Sequence, residues 1–86
     1  MSRFKKLLSQ VTSGQADANV NFDDLCLILK HLGFLSRTKG SHHVFVKTGI
    51  EEMVNLQQDG AKAKKYQVKQ VREIILKYKL GETHGA

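Results

Sequence analysis

The sequence predicts a small α/β domain of the α+β type, in which a three-stranded antiparallel sheet carries two helices on one face and an extra helix precedes them. Three segments show apolar residues at helical spacing, and the stretch between the second and third is β-branched, aromatic and interrupted by glycines. The 86 residues, 41% apolar and 26% charged, suffice for one hydrophobic core. We therefore expect a single domain over residues 1–80 and a disordered tail over 81–86.

The first predicted helix covers residues 3–12. Phe4, Leu7, Leu8 and Val11 recur at i, i+3, i+4 and i+7 and form one apolar stripe. This stripe could pack on the domain, contact a partner protein or lie on an anionic membrane. So short a stripe would hold a membrane weakly, and no apolar run approaches the roughly 20 residues that cross a bilayer. We expect a cytoplasmic protein with no membrane partner.

The second predicted helix covers residues 22–32. Asn21 stands before it as a candidate cap, two aspartates occupy its first turn, and Gly33 follows its last turn. Cys26, the one cysteine, lies beside its apolar stripe and excludes an internal disulfide framework. We interpret Cys26 as a small buried hydrophobe in a reducing compartment.

Three short strands are predicted after this helix, over residues 34–37, 43–47 and 52–56. Alternation within a strand places residues i and i+2 on the same face. If Val44 and Val46 point to the core, Phe45 then lies with Lys47 on the open face.

The third predicted helix covers residues 66–79, where apolar residues again recur at helical spacing. The predicted core draws on both long helices and the sheet. It comprises Leu25, Ile28, Leu29, Leu32, Val44, Val46, Val54, Leu56, Val71 and Ile75.

The charge balance points to an anionic partner. Fourteen Lys and Arg against eight Asp and Glu give a net charge of +6, which attracts polyanions or an acidic protein. Five of these cations fall within eleven residues around the start of the third helix, where the helix dipole disfavours cations and attracts phosphate. A solvated, solubilising loop is the alternative interpretation. The five are Lys62, Lys64, Lys65, Lys69 and Arg72.

The segment 37–43, Arg-Thr-Lys-Gly-Ser-His-His, combines cations, hydroxyls, a glycine and two imidazoles before a strand. Imidazole has an unperturbed pKa of about 6.5, which suits proton transfer near neutral pH. RNA cleavage needs a base, an acid and cations that hold the scissile phosphate. The histidines and Cys26 lack the spacing of a metal site, and no cofactor-binding glycine loop is present, so we expect neither metal nor cofactor.

Several of these motifs together resemble the HicA family of toxin-antitoxin ribonucleases. The resemblance rests on Leu32-Gly33-Phe34, on the run from Gly40 to Phe45 and on the closing helix, and it covers roughly residues 22–80. It implies a fold like that of double-stranded RNA-binding domains, an mRNA-cleaving activity without metal, and inhibition by a HicB-type antitoxin. The family's catalytic histidine falls on His42, with His43 as the fallback.

Strand parity and the family motif disagree about the two histidines. Parity with Phe45 would favour His43 on the open face, whereas the motif favours His42 at the strand entry, where a turn or bulge can redirect a side chain. Many family members carry a Pro-x-His after the third strand, and this chain has no proline. A non-catalytic RNA-binding module of the same fold is the alternative function.

The predicted site therefore has two catalytic candidates, His42 and His43, and an RNA-binding surface. Arg37 and Lys39 are predicted to hold phosphate. The other residues assigned to RNA binding are Gly40, Ser41, Phe45, Lys47, Lys62, Lys64, Lys65, Lys69 and Arg72.

Overall fold

A computed structural model describes residues 3–81 and contains three helices, a short 3₁₀ turn and three strands in the predicted order. Of the predicted tail 81–86, all but Gly81 lies outside the described residues. The elements are α1 (Arg3–Ser13), the 3₁₀ turn (Asp17–Asn19), α2 (Phe22–His31), β1 (Leu35–Lys39), β2 (His42–Val46), β3 (Val54–Gln57) and α3 (Lys65–Lys77).

Helix α2 has the predicted glycine ending, but the predicted cap at its start is not formed. Gly33 has φ +96°, and the amides of Gly33 and Phe34 donate to the carbonyls of Lys30 and Leu29, which is a Schellman ending. At the start, Asn21 makes no capping hydrogen bond with its side chain. Its backbone instead pairs with Lys62, because Val20 and Phe22 hydrogen-bond to the segment before α3.

The sheet is an antiparallel meander in the order β1-β2-β3. Lys39 pairs with His42, so Gly40 and Ser41 form a two-residue hairpin loop. Gly40 has φ +61°, as the first position of a type II′ turn requires. The tight loop fixes which residues of β1 and β2 share a face.

The core lies between α2, α3 and one face of the sheet. Phe45, Val54 and Leu56 are fully buried on this face and belong to one cluster with the buried residues of both helices. The prediction that Val44 and Val46 belong to the core is wrong, since Val44 is half-buried and Val46 is exposed. The larger Phe45 side chain fills the space beneath the helices, and this choice turns both valines outward.

Helix α1 packs against both α2 and α3. Its Val11 is buried, its other apolar residues are half-buried, and the Phe4 ring stacks on His31 with ring centroids 4.8 Å apart. The apolar stripe is therefore used inside the protein. Among residues 3–81, no helix has the length and hydropathy that a membrane span requires.

Candidate functional site

One end of the open sheet face gathers cations around His42. Lys39 lies directly opposite His42 across the β1–β2 pair, and Arg37 is one step further along the same face of β1. Directly opposed residues have Cβ atoms about 5 Å apart, and diagonal neighbours are about 7–8 Å apart. All three side chains are exposed, and a single phosphate could contact all of them.

The positive charge of this cluster is not compensated within the described chain. Neither Arg37 nor Lys39 forms an ion pair with any residue in 3–81, and the His42 imidazole makes no hydrogen bond there. An imidazole beside two cations on an open surface can accept a proton from a bound hydroxyl group. The arrangement suits proton transfer next to a held phosphate.

The cluster of Arg37, Lys39 and His42 forms one half of a groove on the open sheet face, and the other half is apolar. The groove has a volume of about 670 Å³, and Leu35, Val46 and Met53 line its far end. Leu35 and Met53 are 73% and 60% exposed, which is unusual for large apolar side chains. The groove thus offers cations at the hairpin end and apolar surface about 14 Å away, four residues along the strands.

The second histidine, His43, lies on the opposite face of the sheet. Its Nδ1 atom is 3.3 Å from the Thr38 hydroxyl, and its ring meets Phe22 edge-on at 5.0 Å between centroids. His43 lines a smaller groove between α2 and β1, away from Arg37 and Lys39. The parity argument, which placed His43 on the open face, is wrong because it began from the wrong core residues, and it is His42 that lies on that face.

Three residues assigned to RNA binding are buried or are engaged in contacts within the fold. Phe45 has no exposed surface. Lys47 lies on the helix side, where its Nζ atom is 2.6 Å from the position that a Cβ at Gly33 would occupy, at the negative end of the α2 dipole. Arg72 points to α1 and the 3₁₀ turn, where its Nη1 atom donates to the Val11 carbonyl at 3.3 Å and lies 2.9 and 3.1 Å from the Asp17 carboxylate oxygens.

The remaining lysines of the basic segment surround the start of α3. Lys62, Lys65 and Lys69 are exposed and have no acidic partner in the described chain, while Lys64 lies 3.9 Å from Asp59. This segment reaches the hairpin end of the sheet, because the Gln67 side chain donates to the Gln57 carbonyl at 3.3 Å. Gln57 is the β3 residue opposite His42.

Sequence reasoning overlooked Tyr66 and Gln67 at this junction. Tyr66 is 60% exposed, whereas Gln67 is completely buried. The signal that could have identified Tyr66 is an aromatic residue within a run of lysines, a pattern found in proteins that bind single-stranded nucleic acids. The proximity of Gln67 to Gln57 depends on tertiary packing and has no such signal.

Cys26 is buried beside the smaller groove. Burial raises the pKa of its thiol to about 11, so the thiol is protonated at neutral pH and is a poor nucleophile. Across residues 3–81, no group of three or more histidine, cysteine or acidic side chains converges as metal ligands would.

Comparison with known proteins identifies no matching family model, and no curated protein or solved structure matches at a significant level.

Proposed function

We propose that this protein is an endoribonuclease of the HicA type, the toxin of a toxin-antitoxin pair, which cleaves mRNA in the cytoplasm. The observation that carries the proposal is the uncompensated cluster of Arg37, Lys39 and His42 on an open sheet face. A sheet with helices on one face and an open, basic opposite face corresponds to the arrangement expected of a fold like that of double-stranded RNA-binding domains.

The proposed reaction uses the RNA 2′-hydroxyl as nucleophile. His42 accepts the proton of this hydroxyl, and the 2′-oxygen forms a bond to the adjacent phosphorus. The bond from phosphorus to the 5′-oxygen of the next nucleotide breaks, and this oxygen takes a proton from solvent, to which the site is open. The products are a 2′,3′-cyclic phosphate and a 5′-hydroxyl end.

Arg37 and Lys39 have an electrostatic role in this scheme. Charge on the phosphate oxygens increases as the fifth bond to phosphorus forms, and fixed cations stabilise that charge more strongly than they stabilise the bound substrate. Gly40 and Ser41 form the exposed hairpin loop beside the phosphate site, where their backbone can contact the RNA. No step of this chemistry needs a metal ion.

The main test compares the two adjacent histidines. We expect His42→Ala to reduce RNA cleavage by the purified protein, assayed in EDTA, by about 10²- to 10⁴-fold. His43→Gln is the matched control, since it changes the neighbouring residue on the opposite face and should retain cleavage. Detection of the cyclic phosphate identifies the chemistry, and growth arrest after induction in cells should follow the same pattern.

The outcomes separate the alternatives. Loss of cleavage in His43→Gln with normal cleavage in His42→Ala would refute the assignment to the open face. Binding without cleavage by every form would favour the non-catalytic RNA-binding module. In that case, the logarithm of the binding constant should fall with the logarithm of salt concentration by about 0.7 per phosphate contact.

We also propose a HicB-type antitoxin as the protein partner. The groove predicts its character, since one half is basic and the other presents Leu35, Val46 and Met53. A partner that covers it should carry acidic groups opposite His42 and apolar groups opposite Met53. Phe45, predicted from the sequence to lie on the open face, is buried and cannot contribute to this contact.

Co-expression with the adjacent reading frame tests the partner. A stable complex should suppress toxicity, and Met53→Gln should weaken the complex while RNA cleavage by the free toxin continues. If the protein encoded by the adjacent reading frame neither binds the toxin nor protects the cell, the antitoxin proposal is wrong. The nuclease proposal is then still judged by the His42→Ala cleavage test.

A further inference from the structure

Tyr66 is the phenylalanine or tyrosine that is most open to solvent in residues 3–81. Its side chain is 60% exposed, whereas the other members of this group are buried or half-buried. A single exposed aromatic residue is common on protein surfaces and carries no argument alone. The residues around Tyr66 decide whether it belongs to a binding site.

The position of Tyr66 is tied to that of His42 through Gln67. The Gln67 Nε2 atom lies 3.3 Å from the Gln57 carbonyl oxygen and 3.5 Å from the Tyr66 hydroxyl. Gln57 in turn stands opposite His42 in the β2–β3 pair. One row across the end of the sheet therefore runs from Lys39 through His42 and Gln57 to the start of α3, with neighbouring strands about 4.8 Å apart.

Gln67 itself shows that this junction has an unused hydrogen-bond acceptor. The side chain is completely buried, and its Oε1 atom has no hydrogen-bond partner within the described chain. Buried polar atoms are normally paired, so this amide is incompletely satisfied where it meets the Tyr66 hydroxyl.

The charge around Tyr66 favours a nucleic acid over a protein segment. Lys62, Lys65 and Lys69 lack acidic partners in residues 3–81, and the first turn of α3 adds the positive end of its dipole. Exposed aromatic rings set among lysines bind single strands because the cations follow the phosphates while the ring stacks on a base.

From these contacts we infer that Tyr66 is a stacking platform for a base of single-stranded RNA, next to the nucleotide whose phosphate lies at Lys39 and His42. This inference rests on the proposed function and adds the substrate class, an unpaired strand, because a base within a duplex cannot expose its face to the ring. The Gln67 side chain lies between the Tyr66 hydroxyl and the edge of β3, which places the ring at that edge.

The test measures binding of fluorescein-labelled 2′-O-methyl RNA of 12 nucleotides, which lacks the hydroxyl nucleophile and stays intact. Tyr66→Ala should weaken binding by about 5-fold to 100-fold, the range for losing one base-aromatic stack. Tyr66→Phe should bind like the wild type, since it keeps the ring. Leu76→Ala is the matched control, a residue of α3 that is 58% exposed and lies outside the proposed platform.

Two further measurements separate stacking from charge. Tyr66→Ala should leave the salt dependence of binding unchanged, whereas Lys69→Ala should reduce its slope by about 0.7. An oligomer with abasic positions throughout should bind the wild type and Tyr66→Ala equally.

The inference is overturned if Tyr66→Ala binds the normal oligomer like the wild type, or if it loses equal affinity for the abasic one. It is likewise overturned if duplex RNA binds more tightly than the single strand. If the wild type cleaves RNA, His42→Ala does not, and Tyr66→Ala binds RNA like the wild type, the platform is refuted and the proposed function stands. No RNA binding by the wild type would refute both.

Discussion

Replacing Phe45 and Val46 in turn tests which face of β2 belongs to the core. Phe45 is fully buried opposite Val54, whereas Val46 is 41% exposed on the open face. Phe45→Ala should lower the free energy of unfolding by about 3–5 kcal/mol, because it removes a buried ring and leaves a cavity. Val46→Ala should cost about 1 kcal/mol or less, since its methyl groups are already partly in water.

The loss expected for Phe45→Ala is large relative to the total stability. A chain of 86 residues typically has an unfolding free energy of about 4–13 kcal/mol, so Phe45→Ala would remove a substantial part of it. Urea unfolding followed by far-ultraviolet circular dichroism measures both variants, and an unchanged m-value shows that the difference lies in stability. A larger loss in Val46→Ala than in Phe45→Ala would refute the reasoning, because a shift of one residue exchanges the two faces.

Two further predictions concern contacts that hold helices in place. Glu52 accepts hydrogen bonds from Lys77 at 2.8 Å and from the Tyr78 hydroxyl, and these bonds lower the pKa of its carboxyl from 4.5 to about 2. Because the pKa is depressed in the folded state, the carboxylate stabilises the fold above pH 4.5 and loses this contribution as the pH falls toward 2. Glu52→Gln should therefore make the free energy of unfolding depend less on pH between pH 4.5 and 2. An unchanged pH dependence would contradict the contact. Arg72→Ala should cost about 1–3 kcal/mol in urea unfolding, because the half-buried Asp17 carboxylate loses its partner. It should also increase hydrogen exchange in α1, because Arg72 donates to the Val11 carbonyl. Arg72→Ala with wild-type stability would show that this ion pair is not needed.

The local structure follows from the sequence because its causes are local. The Schellman ending at Gly33 depends on one residue with positive φ after an apolar periodic run, and the Gly40-Ser41 loop depends on a glycine between two extended segments. The helical periods of α1, α2 and α3 are each contained in about a dozen residues. Both kinds of signal are complete within the segment that they describe.

The face of β2 could not be read in the same way. Val44 and Val46 on one parity and Phe45 on the other are all good strand residues, so alternation alone permits either orientation. The decision depends on which side chain fills the space under α2 and α3 and pairs with Val54, and those residues are distant in the chain. The wrong faces that parity predicted for His42 and His43 followed directly from that ambiguity.

The element order, the basic charge and the residue types of the candidate site can be read from the sequence. Tertiary packing places His42 on the same face as Lys39, pairs Arg72 with Asp17, and brings Tyr66 through Gln67 to the edge of β3. Each of these outcomes depends on packing, in which residues far apart in sequence compete for the same buried space or the same charged partner. Periodicity records which residues prefer burial, but it contains no information about which of two adequate choices the rest of the fold will bury.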